Sequence, residues 1–396
     1  MLGLVSMLND MASEMAYPVI PLFLTGVLGA PATVVGVIEG VAEATANVLK
    51  LFSGWLSDRV RNRKRFVAAG YLLSALAKAA LALSTVWGHV LGARFVDRFG
   101  KGVRTSARDA LIAESVDAHE GGVAFGLHRA LDTVGAVVGP LAALLLLSLY
   151  GNRYSLVFWI AAIPALLGVC LLLVAVREPV HQPHPHPLAF TLSVSRFGGR
   201  FRLFLLCNLL FMLGNSSDAF LLLRAQSLGA STEGVLLLYV AFNVVYASLS
   251  YPFGKLSDRY GKKGVLVFSF GVFALAYGGF AAAPCEAALW VLFPLYGVFM
   301  AMNEGVGKAY IAELVPEARR GTALGLFATL SGVAALASSV LAGFLWSAVG
   351  VPAPFWFGAA CSATAGLLFA FFGGSREQPQ APENLDWGES AGSSSP

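Results

Sequence analysis

The hexapeptide Gly54-Trp-Leu-Ser-Asp-Arg59 returns 200 positions later as Gly254-Lys-Leu-Ser-Asp-Arg259, so one polar motif occurs twice in an otherwise apolar chain. Shorter matches recur at offsets of 199 or 200 positions: Gly29-Ala30 with Gly229-Ala230, and Ile112-Ala-Glu114 with Ile311-Ala-Glu313. Apolar helices can resemble each other by chance, but chance does not easily produce the same charged motif at two positions in one chain. The sequence therefore predicts two similar halves.

The composition of the chain around these motifs requires an apolar solvent. Of the 396 residues, 57% are hydrophobic and only 13% are charged, whereas soluble domains carry about 25% charged residues. The net charge of +4 is small and dispersed, which argues against a nucleic-acid partner. The four cysteines lie far apart in apolar runs, so neither a disulfide framework nor a metal site is predicted. The sequence predicts an integral membrane protein.

The apolar segments are numerous enough to cross a membrane twelve times. A helix that spans the hydrocarbon needs about 20 mostly apolar residues. The predicted spans cover residues 3–28, 32–56, 66–86, 88–110, 124–149, 154–176, 202–224, 232–254, 264–284, 287–312, 322–347 and 353–373. The first span is expected to continue through Pro18 and Pro21. The fourth and tenth spans have the weakest hydropathy because they carry charged residues.

Basic residues are concentrated in the loops that follow even-numbered spans. They are Arg59, Arg61, Arg63, Lys64 and Arg65; Arg177, Arg196, Arg200 and Arg202; Lys255, Arg259, Lys262 and Lys263; and Arg319 and Arg320. Among the opposite loops, Arg153 is the clear exception. The positive-inside rule therefore places both termini in the cytoplasm, and an even number of spans requires the same. The expected location is the plasma (bacterial inner) membrane, crossed many times.

The repeat and the spans together predict the fold class. We expect an all-α membrane protein with twelve transmembrane helices in two pseudo-symmetric six-helix bundles, which can rock against each other about a midplane site. The predicted units are an N-terminal bundle (1–177), a cytoplasmic linker (178–200), a C-terminal bundle (201–374) and a disordered cytoplasmic tail (375–396). No Cys, Asp or Glu lies among the linker histidines His181, His184 and His186 within residues 181–186, so a solvated Pro-rich loop is favoured over a metal site.

The repeated motif resembles the loop signature of the major facilitator superfamily. In the second half Gly254, Asp258, Arg259, Gly261, Lys262 and Lys263 match that signature; in the first half Gly54, Asp58 and Arg59 match, and Arg61 stands in place of a glycine. The resemblance extends to about residue 374 and implies the twelve-helix transporter fold of that family. It also implies that these loops latch the two halves together. The alternative is that their charges only set the topology.

Three further segments resemble motifs of the same family: Glu313 to Arg320, with its first-half counterpart at Glu114; Gly135-Ala-Val-Val-Gly139-Pro140 in span 5; and Arg94 to Gly102 in span 4. The first implies a role in closing the cytoplasmic side. The second implies an antiporter motif, in which glycines let helices approach closely and Pro140 bends the span. Ala142 and Ala143 replace its second glycine pair, and in span 4 Asp97 and Arg98 depart from the family pattern.

Ionisable residues inside the spans are expected to line a polar interior. A charge at the bilayer centre costs about 2.5–3.5 kcal/mol on insertion scales, so such groups face the bundle and find partners. The candidates for solute binding or proton coupling are Asp10, Glu14, Glu39, Glu43, Arg94, Asp97, Arg98, Lys101, Asp132, Asp218, Glu304 and Lys308. We expect Arg94 to carry proton coupling or solute binding and the first four acids to carry protons. The alternative for each residue is a structural ion pair that pins helices together.

The second half contributes mainly aromatic side chains: Phe211, Phe220, Tyr239, Phe242 and Tyr246. A polar half that faces an aromatic half suits an amphipathic organic solute. The leading interpretation is a secondary active transporter that performs proton-coupled efflux of a small organic or amphipathic solute by alternating access.

Two alternative functions stay open. The cationic face of span 4 also suits uptake or exchange of an organic anion, and the same scaffold could serve a non-transporting membrane sensor or a lipid flippase. Enzymes are not favoured, because the sequence contains no P-loop, nucleophile elbow, HExxH motif or Cys/His set. We expect no cofactor, a proton gradient as the energy source, and a monomer whose partners are a small-molecule solute, protons and membrane lipids.

Overall fold

The computed structural model describes residues 1–59, 63–115, 121–176, 197–316 and 319–373, and the regular structure in this part of the chain is helical. The α-helices are α1 (Leu2–Ala16), α2 (Val19–Gly26), α3 (Ala32–Arg59), α4 (Arg63–Ala82), α5 (Trp87–Glu114), α6 (Gly121–Tyr150), α7 (Tyr154–Ala175), α8 (Gly199–Gly214), α9 (Ala219–Ser227), α10 (Thr232–Tyr260), α11 (Lys262–Ala282), α12 (Leu289–Leu314), α13 (Arg320–Ala348) and α14 (Ala353–Phe372). A short 3-10 turn, Glu286–Ala288, precedes α12. Arg61, most of the predicted linker and the predicted tail lie outside the described residues.

These helices form twelve spans when α1 with α2, and α8 with α9, are each counted as one broken span. Spans 2 to 6 are then α3 to α7, and spans 8 to 12 are α10 to α14. In the described part of the chain, ten of the twelve are long and apolar enough to cross a membrane. The other two are the broken first span and span 4, which carries the densest charges. The predicted all-α membrane fold is confirmed.

The first and seventh spans are interrupted at equivalent positions of the two halves. α1 ends one residue before Tyr17 and α2 begins after Pro18, whose ring removes a backbone donor and disfavours a continuous helix. α8 ends before Asn215 and α9 begins after Asp218, where short polar side chains compete for backbone hydrogen bonds. The two breaks lie 200 positions apart, like the repeat itself. The prediction of two continuous spans was wrong at these points.

The two halves meet closely along spans 2 and 11. A Cβ on Gly36 would collide with the backbone of Ser339, and a Cβ on Gly40 would press on Leu336. Gly343 of span 11 lies in the same way against the backbone of span 2. Small residues let two membrane helices approach to backbone contact, which maximises van der Waals packing where no hydrophobic effect operates.

The seam between spans 5 and 8 is formed by longer side chains. The Arg129 guanidinium of span 5 donates to the Tyr246 hydroxyl of span 8 at 2.9 Å. We call the side of the bundle that holds the ends of the basic loops the basic face, and the other side the opposite face. At the opposite face the hydroxyls of Tyr154 and Thr232 lie 3.3 Å apart, so spans 6 and 8 also touch there.

The core of the second half is built from aromatic rings. Phe211, Phe270, Phe273, Tyr277, Tyr296 and Phe299 are fully buried and contact one another. Spans 7, 9 and 10 supply these rings, so this half is held together by apolar surface. The charged side chains of the first half have no equivalent in this cluster.

Span 5 packs against span 1 through the two glycines of the Gly135 to Pro140 motif. A Cβ on Gly135 would collide with the backbone of Met7 and Met11. We therefore expect Gly135→Val to destabilise the folded protein by about 1–3 kcal/mol, as overpacking of a tight contact does. The loss is measured as a lower midpoint of thermal unfolding in detergent.

The matched control for this prediction is Gly126→Val on the same helix, because a Cβ at Gly126 meets no atom within 4 Å. Equal unfolding midpoints for the two variants would contradict the close packing of spans 1 and 5.

Candidate functional site

The central feature of the first half is a buried ion pair between spans 2 and 4. The Arg94 guanidinium donates to both carboxylate oxygens of Glu39, from Nε at 3.1 Å and from Nη2 at 2.6 Å. Arg94 is 3% exposed and Glu39 is 1% exposed. A bidentate pair of this kind fixes the plane of the guanidinium relative to the plane of the carboxylate. Both residues were predicted as site residues, and the structure brings them together.

The ion pair extends into span 3 through Asp97. One carboxylate oxygen of Asp97 lies 3.9 Å from Arg94, and the other accepts from Lys78 Nζ at 3.3 Å. Lys78 is almost fully buried. Three spans are thus joined by alternating charges, which compensates groups that would be costly to bury alone.

A second ion pair, more exposed to solvent than the first, lies one turn further along span 4. Arg98 Nη1 lies 3.8 Å from Glu43, whose side chain is 40% exposed. Lys101, on the same face, has no carboxylate within ion-pair distance among the described residues, but it interacts electrostatically with Asp10 and Glu43. We call Glu39, Glu43, Lys78, Arg94, Asp97, Arg98 and Lys101 the span 4 network.

Arg104 belongs to a separate buried contact nearer the basic face. Its Nη1 donates to the Ser74 hydroxyl at 2.6 Å, and its guanidinium lies 4.6 Å from the Tyr71 ring centroid. Ser74 in turn donates to the carbonyl of Asp97 at 3.3 Å. These contacts brace span 3 against span 4 behind the network.

The broken spans meet each other beside the network. The hydroxyls of Tyr17 and Ser217, which are 200 positions apart, lie within 3.3 Å. Arg94 lies 5.5 Å from the centroid of the Tyr17 ring. In transporters built from two repeats, interrupted helices often mark the region where the solute binds, because the ends of the broken helices expose backbone groups to a cavity.

Two tyrosines of the second half reach acidic residues near this point. Tyr239 donates to Glu14 of span 1 at 2.8 Å, which links the halves directly. Tyr296 donates to Asp218, at the break in span 7, at 2.7 Å. Asp218 also interacts electrostatically with Glu14 and Glu39. The predicted acids Glu14, Glu39 and Asp218 therefore surround one region between the bundles.

The predicted pair Glu304 and Lys308 lies in a different part of the interface, at a cavity of about 430 Å³. Lys308 Nζ lies 3.4 Å from Glu304, which also accepts from the Tyr246 hydroxyl. Arg129 contributes from the other half, 3.8 Å from Glu304. The cavity extends along span 8 to Asp258, so it lies toward the basic face.

The repeated loop is described fully only in the second half. Lys262 Nζ lies 3.2 Å from both Asp258 and Glu313, which joins spans 8, 9 and 10 within one bundle. Arg320 Nε donates to the carbonyl of Ala312 at 3.0 Å. The side chains of Asp58 and its neighbours in the first half, and that of Glu114, lie outside the described part. The latch between the halves stays a prediction.

The remaining predicted residue, Asp132 of span 5, lies apart from the network. Its carboxylate is 3.4 Å from His128 Nε2. Four residues near these sites were not predicted from the sequence: Tyr17, His128, Ser217 and Tyr296. A signal for His128 was its place four residues before Asp132 on one helix face. The signal for Tyr17 and Ser217 was their offset of 200.

The fold and the site together define a membrane protein made of two related six-span halves around a charged interior. The sequence matches the Major Facilitator Superfamily over residues 2–205 and again over residues 203–394. The chain therefore belongs to that superfamily of transporters.

Individual relatives agree with this assignment. An uncharacterized MFS-type transporter of Methanocaldococcus jannaschii is 36% identical over 377 residues, which cover 94% of each chain. The multidrug resistance protein MdtH of Photorhabdus laumondii is 32% identical over 125 residues, or 32% of this chain and 31% of that one. Among solved structures, the nucleoside transporter NupG has a TM-score of 0.77 at 16% identity, covers 94% of this chain and 98% of its own, and shares the fold.

Proposed function

We propose that this transporter exports a small organic or amphipathic solute in exchange for protons, as a monomer in the bacterial inner membrane with both termini in the cytoplasm. The observation that carries the proposal is the buried Glu39–Arg94 pair beside the breaks in spans 1 and 7. Burying two charges this completely costs free energy. The pair therefore indicates either a function or an essential structural role. The region is reached from both halves, as a solute site must be.

The acidic residues in this region are the proposed proton carriers. Glu14 bonds to Tyr239 across the interface, and Glu43 faces Arg98 at a partly exposed position. Movement of an arginine away from a carboxylate removes the positive charge that favours its ionised form, so the carboxylate then binds a proton more readily. A solute that competes for the same arginine would couple its own binding to this protonation.

The character of the solute follows from the walls of the region. On the second half, the Tyr239 ring lies 5.7 Å from Phe242 and 5.9 Å from Tyr17 of the first half. Phe242 and Tyr246 are stacked at 6.3 Å. Aromatic faces opposite a charged network suit a molecule with one flat apolar part and one polar part.

Two further features favour efflux. The Gly135 to Pro140 segment resembles the antiporter motif of exporting members of the superfamily. Over about a third of its length the chain is also similar to MdtH, which is named a multidrug resistance protein. The basic residues of the loops favour cytoplasmic termini. In that orientation the cavity beside Glu304 opens toward the cytoplasm.

The experiment that tests this proposal measures flux in proteoliposomes of the purified protein with an imposed proton gradient. The panel contains fluorescent lipophilic cations, aromatic zwitterions and organic anions. We expect gradient-dependent movement of at least one amphipathic solute, abolished by a protonophore. Absence of gradient-dependent flux for the whole panel would contradict the proposal, and scrambling of a fluorescent lipid instead would favour a flippase.

Lys101 supports a second candidate, uptake or exchange of an organic anion. Its ammonium is partly buried beside the inter-half region and, in the described part of the chain, has no carboxylate within ion-pair distance. If an anion binds there, Lys101→Gln raises the KM for anionic solutes about tenfold or more, since a charge-assisted hydrogen bond is worth about 1.5–3 kcal/mol. The KM is measured in the same proteoliposomes.

The matched control is Lys308→Gln, because Lys308 is already paired with Glu304. An equal KM for wild-type protein and Lys101→Gln, with every solute of the panel, would remove the anion candidate.

A further inference from the structure

We propose that His128 and Asp132 of span 5 form a proton-binding site inside the first half, separate from the solute region. The inference deepens the proposed proton-coupled transport and rests on it for the role of the bound proton. The site would take a proton from the basic face and deliver it to Asp10 of span 1, whose Cβ lies beside Gly135 of span 5.

The first support is the geometry of the pair. His128 Nε2 lies 3.4 Å from Asp132 Oδ2, and the two residues are one helical turn apart. His128 is 6% exposed and Asp132 is 8% exposed. Imidazole and carboxylate at this distance can hold one additional proton between them, because each can accept the proton that the other loses.

The second support is that this buried pair has unused hydrogen-bonding capacity. Within the described residues, neither ring nitrogen of His128 makes a hydrogen bond of good geometry, and neither does the Oδ1 atom of Asp132, although the Ser6 side chain interacts with the Asp132 carboxylate. Buried polar atoms are nearly always satisfied when their role is structural. Unsatisfied buried atoms call for an explanation, and exchange of a proton between two adjacent ionisable groups is one.

The third support is that ionisable groups lie on both sides of the pair. Toward the inter-half region, Asp132 interacts electrostatically with Asp10, which in turn interacts with Glu14. Toward the basic face, His128 interacts electrostatically with Asp109 of span 4, whose side chain is 43% exposed. These groups outline a proposed route that does not pass through the span 4 network.

Neighbouring titratable and charged groups from each packed helix set the conditions for this site. Span 1 supplies Asp10, span 4 supplies Arg108 and Asp109, and span 5 itself supplies Arg129. Span 8 supplies the Tyr246 hydroxyl, which accepts from Arg129. Arg108 is held by Asp109 at 2.9 Å and by the Ser6 hydroxyl at 3.0 Å. Span 6 contributes no charged side chain along Tyr154–Ala175. The positive charges of Arg108 and Arg129 partly offset the negative charges of the neighbouring acids.

The movement of the proton is balanced without any other reactant. A proton from water at the basic face adds to the His128 imidazole, which becomes an imidazolium beside the Asp132 carboxylate. When the proton leaves toward Asp10, the imidazole is neutral again and the Asp10 carboxyl is protonated. Release from Asp10 into the inter-half region completes one transfer.

The test follows the titration of the histidine ring in the full-length protein in detergent. The six histidines are labelled with ¹³C at Cε1, and the His128 signal is identified by its loss in His128→Gln. We expect Asp132→Asn to move the midpoint of the His128 titration to lower pH by about one unit or more, because the neighbouring carboxylate no longer stabilises the imidazolium. The exposed His89 signal serves as the internal control and should not move.

A second measurement separates this site from the proposed transport itself. For any solute that the wild-type protein moves, Asp132→Asn should retain solute exchange without a gradient and lose most gradient-driven flux. A wild-type protein that moves no solute would defeat the proposed function but leave the histidine titration decisive for the site. An unchanged His128 midpoint in Asp132→Asn, or a His128 signal that does not titrate, would overturn the inference.

Discussion

Arg94→Ala is expected to abolish gradient-driven transport while the protein still inserts into the membrane. The substitution leaves Glu39, which is 1% exposed, without its bidentate partner, and it also removes a cation from Asp97. Removing one partner of a buried pair costs about 3–5 kcal/mol. The network would then lack the cation that pairs with the Glu39 carboxylate, so it could no longer alternate between two charge arrangements. Flux in proteoliposomes measures the loss, and fractionation of cell membranes measures insertion.

A structural role for Arg94 has a different signature, which a double variant reveals. In Arg94→Met/Glu39→Met both charges are replaced by apolar side chains of similar volume, a change that is often neutral or stabilising for a buried pair. We expect this variant to unfold at or above the wild-type temperature and still to transport nothing. Wild-type transport by the double variant would show that the pair only holds spans 2 and 4 together.

Arg224 offers a matched control elsewhere in the protein. It is also buried, but it donates to the backbone carbonyls of Phe280 and Ala283 at 2.9 and 3.1 Å, at the opposite-face end of the second half. Arg224→Met should lower the unfolding temperature and leave gradient-driven flux per folded molecule close to that of the wild type. A loss of flux equal to that of Arg94→Ala would indicate that any buried arginine is required.

The positions of the spans could be predicted from sequence because the thickness of the hydrocarbon fixes their length. The sixth span was predicted at 154–176 and lies at Tyr154–Ala175; the twelfth was predicted at 353–373 and lies at Ala353–Phe372. Hydropathy averaged over a window does not register a break of two to four residues. The interruptions at Pro18 and at Asn215–Asp218 were therefore missed, although their common offset in the repeat was available.

The chemical types of the site residues could be predicted, but their partners could not. Spacing placed Glu39 and Glu43 on one helix face, and the structure indeed directs both toward span 4, at Arg94 and Arg98. Which helix lies opposite such a face depends on how twelve spans pack, and a single sequence carries no record of those distances. The link from Asp97 to Lys78 of span 3 and the contact of Glu14 with Tyr239 required coordinates for this reason.

The pairing of Thr33 with Ser347 leads to the second large prediction. Their side-chain hydroxyls lie 2.9 Å apart across spans 2 and 11 at the opposite face. Cysteines at both positions would lie within reach of a disulfide, whose Cβ atoms are about 3.5–4.5 Å apart. In a background whose native cysteines are replaced, oxidised Thr33→Cys/Ser347→Cys is expected to move solute no faster than empty vesicles, and reduction should restore flux.

This expectation separates alternating access from a fixed pathway. Transport by rocking bundles requires the opposite-face ends of spans 2 and 11 to part once in each cycle, and a disulfide between them prevents that step. A fixed pore would leave the two ends in place throughout and would be indifferent to the cross-link. The single variant Thr33→Cys, treated with the same oxidant, controls for chemical damage. If the oxidised double variant transports at the rate of the reduced protein, the two halves do not move apart at this face, and the proposed cycle would have to be abandoned.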